Sequence, residues 1–144
     1  MAIVSPTGDG VSGVTPDVLH KHIIVRAEIG KPPVGKAETV TVEDWMRDLI
    51  TGIDMKIMFG PRAMYCEVVG NKGMTGFAII ETSHVALHVW DECVPAVAQL
   101  DVYTCSDLTV EQVVPMLDVF EPSKVEYKLL DRQTGLVLLS EKLA

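Results

Sequence analysis

Short runs of alternating apolar and polar residues, joined by links too brief for a crossover helix, constrain this chain more than any other feature. From His22 to Ile29, the residues Ile23, Val25, Ala27 and Ile29 alternate with Arg26 and Glu28. This is the period-2 pattern of a strand with one buried and one wet face. Further strand-like runs cover about 62–69, 76–81, 85–91 and 97–105, and two more, 124–130 and 136–140, flank the turn Asp131–Gly135. Gly70-Asn71-Lys72-Gly73 is a hairpin turn between the first two of the four. Parallel neighbours need a connection of about a dozen residues or more, so adjacent runs joined by short turns pair antiparallel.

Two helices interrupt the strands. The stretch GKPPVGKAET is a loop, because its prolines and glycines defeat either regular structure. Thr41 with Asp44 then forms a capping-box-like start. Val42, Trp45, Met46, Leu49, Ile50 and Ile53 follow at the spacing of one buried helix face. Thr109 and Gln112 open a second helix over 109–120, with Val110, Val113, Val114 and Leu117 on one side and Pro115 inside it, where a kink is expected. The order β-α-β-β-β-β-α-β-β predicts an α+β fold, a two-layer sandwich of one antiparallel sheet with both helices on one face. Residues 1–19, rich in Gly, Pro, Ser and Thr, read as a flexible tail, and 20–144 as a single domain. The uncovered sheet face is then either solvated or paired with a second subunit.

Composition narrows the function. Of the 144 residues, 48% are hydrophobic and 22% charged, as in a chain with a real core. Twenty acidic against twelve basic residues leave a formal charge of −8, which argues against nucleic acid or an anionic membrane as a partner. No apolar run approaches a membrane span and no signal peptide precedes the fold, so the expectation is a cytoplasmic protein. Cys66, Cys93 and Cys105 form no CxxC pair. The pairs His20/His22 and His84/His88 lack the glutamate of a zinc-protease helix, so no metal centre is expected.

The run from Gly73 to Glu92 concentrates the reactive side chains. Alternation from His84 sends Val85, Leu87 and Val89 toward the helices, and His84, Ala86, His88, Trp90 and Glu92 to the other face. Two histidines, a tryptophan and a carboxylate around one alanine suit a pocket, with a stacking plane, an acceptor and proton-transfer groups. They equally suit a solvated sheet face carrying one exposed tryptophan. A second run, Asp101-Val-Tyr-Thr-Cys-Ser106, ends a strand in Cys105. That thiol is either a small buried hydrophobe or, beside histidines, a proton donor or nucleophile.

At these residues the chain resembles the short prokaryotic type of S-adenosylmethionine decarboxylase, a pyruvoyl-dependent family. GMTGFAIIETSHVALHVWDE is similar to the family's Gly-x-Ser-Gly run followed by Glu-Ser-His and His-x-Trp-x-Glu, and DVYTCS to its Asp-x-x-Thr-Cys-Gly. The resemblance implies self-cleavage between Thr82 and Ser83, with Ser83 becoming the pyruvoyl group, and no metal. It implies that His88 removes the α-proton during that processing, that Thr75 supplies an assisting hydroxyl, and that Cys105 protonates the decarboxylated product. It casts Trp90 as the aromatic stacking on adenine and Glu92 as the carboxylate binding ribose hydroxyls. Since alternation sends His88, Trp90 and Glu92 to a common face, these residues and Cys105 are expected to line one concave site together with Ser83. The resemblance also implies a homodimer and a place in the synthesis of spermidine and other polyamines.

The chain departs from the family pattern at several places. Thr82 stands for a glutamate, Val69 for a second stacking aromatic, Asp91 for a proline and Ser106 for a glycine. Two alternatives therefore stand beside S-adenosylmethionine decarboxylation. One is the same chemistry on another amino acid, such as arginine or ornithine. The other is an unprocessed, non-catalytic homologue that binds a nucleoside-like ligand or a partner.

Overall fold

A computed structural model describes residues 19–144, so the expected tail lies, apart from Leu19, outside the described residues. The alternating runs form seven strands: β1 (Lys21–Ile29), β2 (Ile57–Cys66), β3 (Gly73–Ile80), β4 (Ser83–Trp90), β5 (Ala96–Thr104), β6 (Pro122–Asp131) and β7 (Val137–Lys142). They make one sheet in the order β2-β3-β4-β5-β1-β6-β7. Every neighbouring pair is antiparallel. Strand β1 lies between β5 and β6, which are distant from it in sequence.

Helix α1 (Thr39–Gly52) lays Val42, Trp45, Met46, Leu49 and Ile50 on the sheet, all buried. The same buried core takes in Ile23, Val25, Ala27 and Ile29 of β1, Val85, Leu87 and Val89 of β4, and Ala98, Leu100 and Val102 of β5. The expected helix start is corrected. A 3₁₀ turn, Lys36–Glu38, leads directly into α1 at Thr39, and no side chain caps it. Asp44 instead takes a bond from Arg47 at 2.8 Å. At the second helix, Thr109 and Gln112 do form the capping box, but regular helix α2 covers only Val110–Val113. From Val114 to Phe120 the chain tightens into a 3₁₀ helix with Pro115 in its first turn, where its missing N–H is least costly. Trp45 Nε1 donates to Met116 O at 2.7 Å and its ring lies 5.3 Å from Phe120. Both helical segments therefore share one face of the sheet, and the α+β two-layer architecture is as expected. Strand β2 starts five residues earlier than its alternation suggests, through the irregular segment Ile57–Arg62.

Candidate functional site

The Gly73-Met-Thr-Gly76 run shows how packing aims one side chain outward. A Cβ on Gly73 would lie 1.6 Å from Val89 O, and one on Gly76 would lie 2.8 Å from Met46 Sδ and 3.2 Å from Val42 Cγ1. Both glycines thus admit close neighbours, and Met74 is buried. Thr75 points to the open face, opposite His88 in the β3–β4 register. Thr75 Oγ1 and His88 Nδ1 share a hydrogen bond of 3.1 Å. Along β4 the same face carries Trp90, whose ring lies 6.1 Å from that of His88. Trp90 Nε1 donates to Asn71 Oδ1 at 3.0 Å. Glu92, just past the strand, accepts the backbone N–H groups of Gly70 and Lys72, each at 2.8 Å. One end of β4 therefore holds a proton-transfer pair, a stacking plane and an oriented carboxylate, bound to the turn that contains Asn71.

The other end holds Ser83. Ile80 pairs with Ser83, so Glu81 and Thr82 form a two-residue hairpin turn. Thr82 sits at φ 53°, a left-handed conformation that is a genuine outlier for a β-branched side chain. Such strain costs on the order of 1–3 kcal/mol. The next residue, Ser83, is only 8% exposed, and its Oγ is a buried side-chain polar atom without a hydrogen-bond partner among the described residues. An orphaned buried hydroxyl is uncommon and calls for an explanation such as a reactive role. Cys105 Sγ donates to Glu81 O at 3.4 Å, which ties the end of β5 to this turn.

The expectation of one concave site within a single chain is corrected by this arrangement. Ser83 and His88 lie five residues apart on one straight strand, roughly 16 Å at the usual rise per residue. Ser83 also faces the helices, while His88 and Trp90 face away. Thr75, His88, Trp90 and Glu92 come together at one end; Thr82, Ser83 and Cys105 come together at the other. A cavity of about 310 Å³, lined by residues such as Ile24, Gln99 and Tyr127, borders the His88 group, since Gln99 pairs with His88; one of about 340 Å³ lies elsewhere, at Pro32, Thr41 and Phe120.

Sequence reasoning missed a third group, on the open face at the Ser83 end. Asp101 Oδ1 lies 2.5 Å from His22 Nε2 and 3.2 Å from His84 Nε2. Burial works against the ionised Asp101 carboxyl. The hydrogen bonds and charges of the two histidines outweigh it and hold the group below the ordinary carboxylate range. Arg132 stacks on Tyr103, 4.2 Å from the ring centroid, and reaches His22 Nδ1 at 3.3 Å. The sequence signal was the polar position of His22 on β1 and of Asp101 on β5. The partners are 79 residues apart, so only the strand order brings them together.

A model of the S-adenosylmethionine decarboxylase family matches residues 31–133. A protein of Methanococcus vannielii named S-adenosylmethionine decarboxylase proenzyme is 36% identical over 75 residues, which cover 51% of this chain and 58% of that one. One of the same name from Archaeoglobus fulgidus is 28% identical over 99 residues, covering 67% of this chain and 87% of the relative. The chain thus spans little more than half the length of the first relative and most of the second. The crystal structure of an adenosylmethionine decarboxylase from Aquifex aeolicus superposes with a TM-score of 0.60 at 18% identity, covering 88% of this chain and 98% of that one. That likeness shows the shared fold. With the matched segment running from Lys31 to Gln133, the chain belongs to the S-adenosylmethionine decarboxylase family.

Proposed function

We propose that this chain is a proenzyme that cleaves itself between Thr82 and Ser83 and then decarboxylates S-adenosylmethionine. The observation that carries this reading is the buried Ser83 Oγ, without a hydrogen-bond partner among the described residues, directly after a threonine held at φ 53°. Attack of that oxygen on the Thr82 carbonyl carbon forms an ester and breaks the Thr82–Ser83 C–N bond, relieving the strained turn. Loss of the Ser83 α-proton then expels the Thr82 carboxylate. Water replaces the nitrogen, which leaves as ammonia, and residue 83 becomes a pyruvoyl group. Once formed, that group supplies an electrophilic carbonyl that holds the substrate amine and takes up the electron pair released with CO₂.

The remaining roles fall to the chain's own residues. His88, hydrogen-bonded to Thr75, is the proton acceptor in processing. Cys105, whose Sγ lies 3.4 Å from the carbonyl of Glu81 in the turn before Ser83, returns a proton to the product. Trp90 offers its plane to adenine and Glu92 its carboxylate to ribose hydroxyls. Because about 16 Å of strand separates Ser83 from His88, His88 and Thr75 of the partner subunit serve each Ser83 in a homodimer. A two-fold axis near Ala86, perpendicular to β4 and between two open faces, brings the Ser83 end of one copy to the His88 end of the other. The exposed Ile24, Phe77 and Ile79 supply apolar area on that face.

Intact mass and a denaturing gel test the reading. The wild type separates into residues 1–82 and a piece beginning at a blocked residue 83, while Ser83→Ala stays whole. Processed protein then releases CO₂ from carboxyl-labelled S-adenosylmethionine in preference to arginine or ornithine. A wild-type chain that stays intact on prolonged incubation sinks the enzyme reading. The departure at Thr82 would then favour a non-catalytic, nucleoside-binding homologue.

A further inference from the structure

The open-face group of His22, His84 and Asp101 has no part in the reaction just described, yet its donor atoms converge. Both Nε2 atoms aim at the same carboxylate oxygen, and the three ligand atoms all lie within 4.8 Å of one another. They come from three adjacent strands, β1, β5 and β4, so the sheet itself fixes their spacing. We infer that His22 Nε2, His84 Nε2 and Asp101 Oδ1 form a binding site for one divalent transition-metal ion of the zinc, cobalt or nickel class.

Geometry supports this class. A tetrahedral ion about 2.0–2.2 Å from each donor sets its ligands about 3.3 Å apart. His84 Nε2 and Asp101 Oδ1 already stand 3.2 Å apart. His22 Nε2, at 2.5 Å from the same oxygen, has to move back by less than an ångström. Two imidazoles with one carboxylate select borderline metals over calcium or magnesium, which prefer oxygen donors alone. His84 and Asp101 are partly exposed in the single chain, so the fourth position falls to water or, in the homodimer proposed above, to a group in the space between the two open faces. The ion takes the place now held by the shared proton between His22 and Asp101, so His22 must carry its remaining proton on Nδ1. Arg132 opposes that tautomer, since its own N–H points at Nδ1 from 3.3 Å. The arginine therefore weakens the site and tunes its affinity. A bound ion joins β4 to β5 and β1 one residue after the Thr82–Ser83 peptide.

The full chain is titrated with Co²⁺, following the visible absorption of tetrahedral cobalt, and the complex is then challenged with Zn²⁺. One equivalent of Co²⁺ binds per chain and Zn²⁺ displaces it. His84→Ala, at an exposed position that leaves the fold intact by circular dichroism, and the isosteric Asp101→Asn both abolish the band. Cys93→Ser, which removes an exposed thiol, leaves it unchanged. Arg132→Gln tightens binding about tenfold, the scale expected for a group hydrogen-bonded to a ligand. No band in the wild type, an equal band in His84→Ala and Asp101→Asn, or loss of the band in Cys93→Ser overturns the site. An Arg132→Gln chain with unchanged affinity overturns His22 Nε2 as a ligand. None of these readings requires the chain to cleave.

Discussion

Thr75 Oγ1 and His88 Nδ1 share a 3.1 Å hydrogen bond across a directly paired position of β3 and β4. The bond fixes the ring of a histidine that stands on an otherwise open sheet face. In the proposed reaction, this pair exchanges a proton with a group that arrives from beyond the sheet.

Removing the threonine hydroxyl should therefore slow processing without harming the fold. A hydrogen bond of this kind is worth about 1 kcal/mol, or roughly fivefold in rate. Thr75→Val is expected to show that loss in the appearance of the two fragments on a gel time course. Thr75→Ser should retain nearly the wild-type rate. Equal rates for wild type and Thr75→Val would remove Thr75 from the processing machinery.

The left-handed Thr82 makes an opposite pair of predictions in two backgrounds. In Ser83→Ala, where no cleavage competes, Thr82→Gly should raise thermal stability by about 1 kcal/mol, because glycine adopts φ 53° without a Cβ clash. With Ser83 intact, the same change should slow cleavage, since less strain is released when the Thr82–Ser83 bond breaks. Faster cleavage in Thr82→Gly would show instead that β-branching hinders the attack on the carbonyl.

Much of this organisation was legible from alternation alone. Ile23, Val25, Ala27 and Ile29 on β1, and Val85, Leu87 and Val89 on β4, face the helices as their period-2 spacing predicts. The same rule puts His84, His88 and Trp90 on the open face. Alternation is a local rule, however, and carries no information about distance along a strand. Grouping Ser83 with His88 came from the motif, although the strand rise keeps them at opposite ends of β4 and alternation itself sends them to opposite faces. Alternation also gave no register between β1 and β5, which alone brings His22 to Asp101. The early start of α1 escaped for a different reason. A 3₁₀ turn at Lys36–Glu38 supplies the first turn of helix, so no capping side chain marks the boundary.

Close packing between α1 and β3 predicts a contrast between two glycines. Gly76→Ala should destabilise the chain by about 1–3 kcal/mol, because its Cβ meets the buried Met46 and the stiff Val42. Gly52→Ala, at the end of α1 with no atom within 4 Å, should stabilise it by roughly 0.5–1 kcal/mol through helix propensity and lower unfolded-state entropy. Chemical denaturation of both variants in the Ser83→Ala background checks the pair. Equal effects of one sign would mean that α1 does not approach the sheet at Gly76.

A last prediction concerns the strap that holds β2 to the link after β4. Tyr65 donates its hydroxyl to Asp91 Oδ2 at 2.8 Å. That hydrogen bond, reinforced by burial and by the negative charges of Asp91, Glu67 and Glu92, pushes the phenol up to about 12. An ordinary tyrosine titrates near 10. The proton is therefore held more tightly in the folded chain than in the unfolded one. The stabilisation this provides is fully present below about pH 10 and is lost as the pH rises toward about 12. Tyrosinate absorbance, taken as wild type minus Tyr65→Phe, should show one phenol titrating late. In Asp91→Asn the hydrogen-bonded charge is gone, and that late phase should move back toward the ordinary value. The proline found at this position in the family offers no such acceptor, so the strap belongs to this chain's own way of fixing the Trp90–Glu92 end of the site. A wild-type difference curve centred near pH 10 would mean that Tyr65 and Asp91 are not bonded in solution.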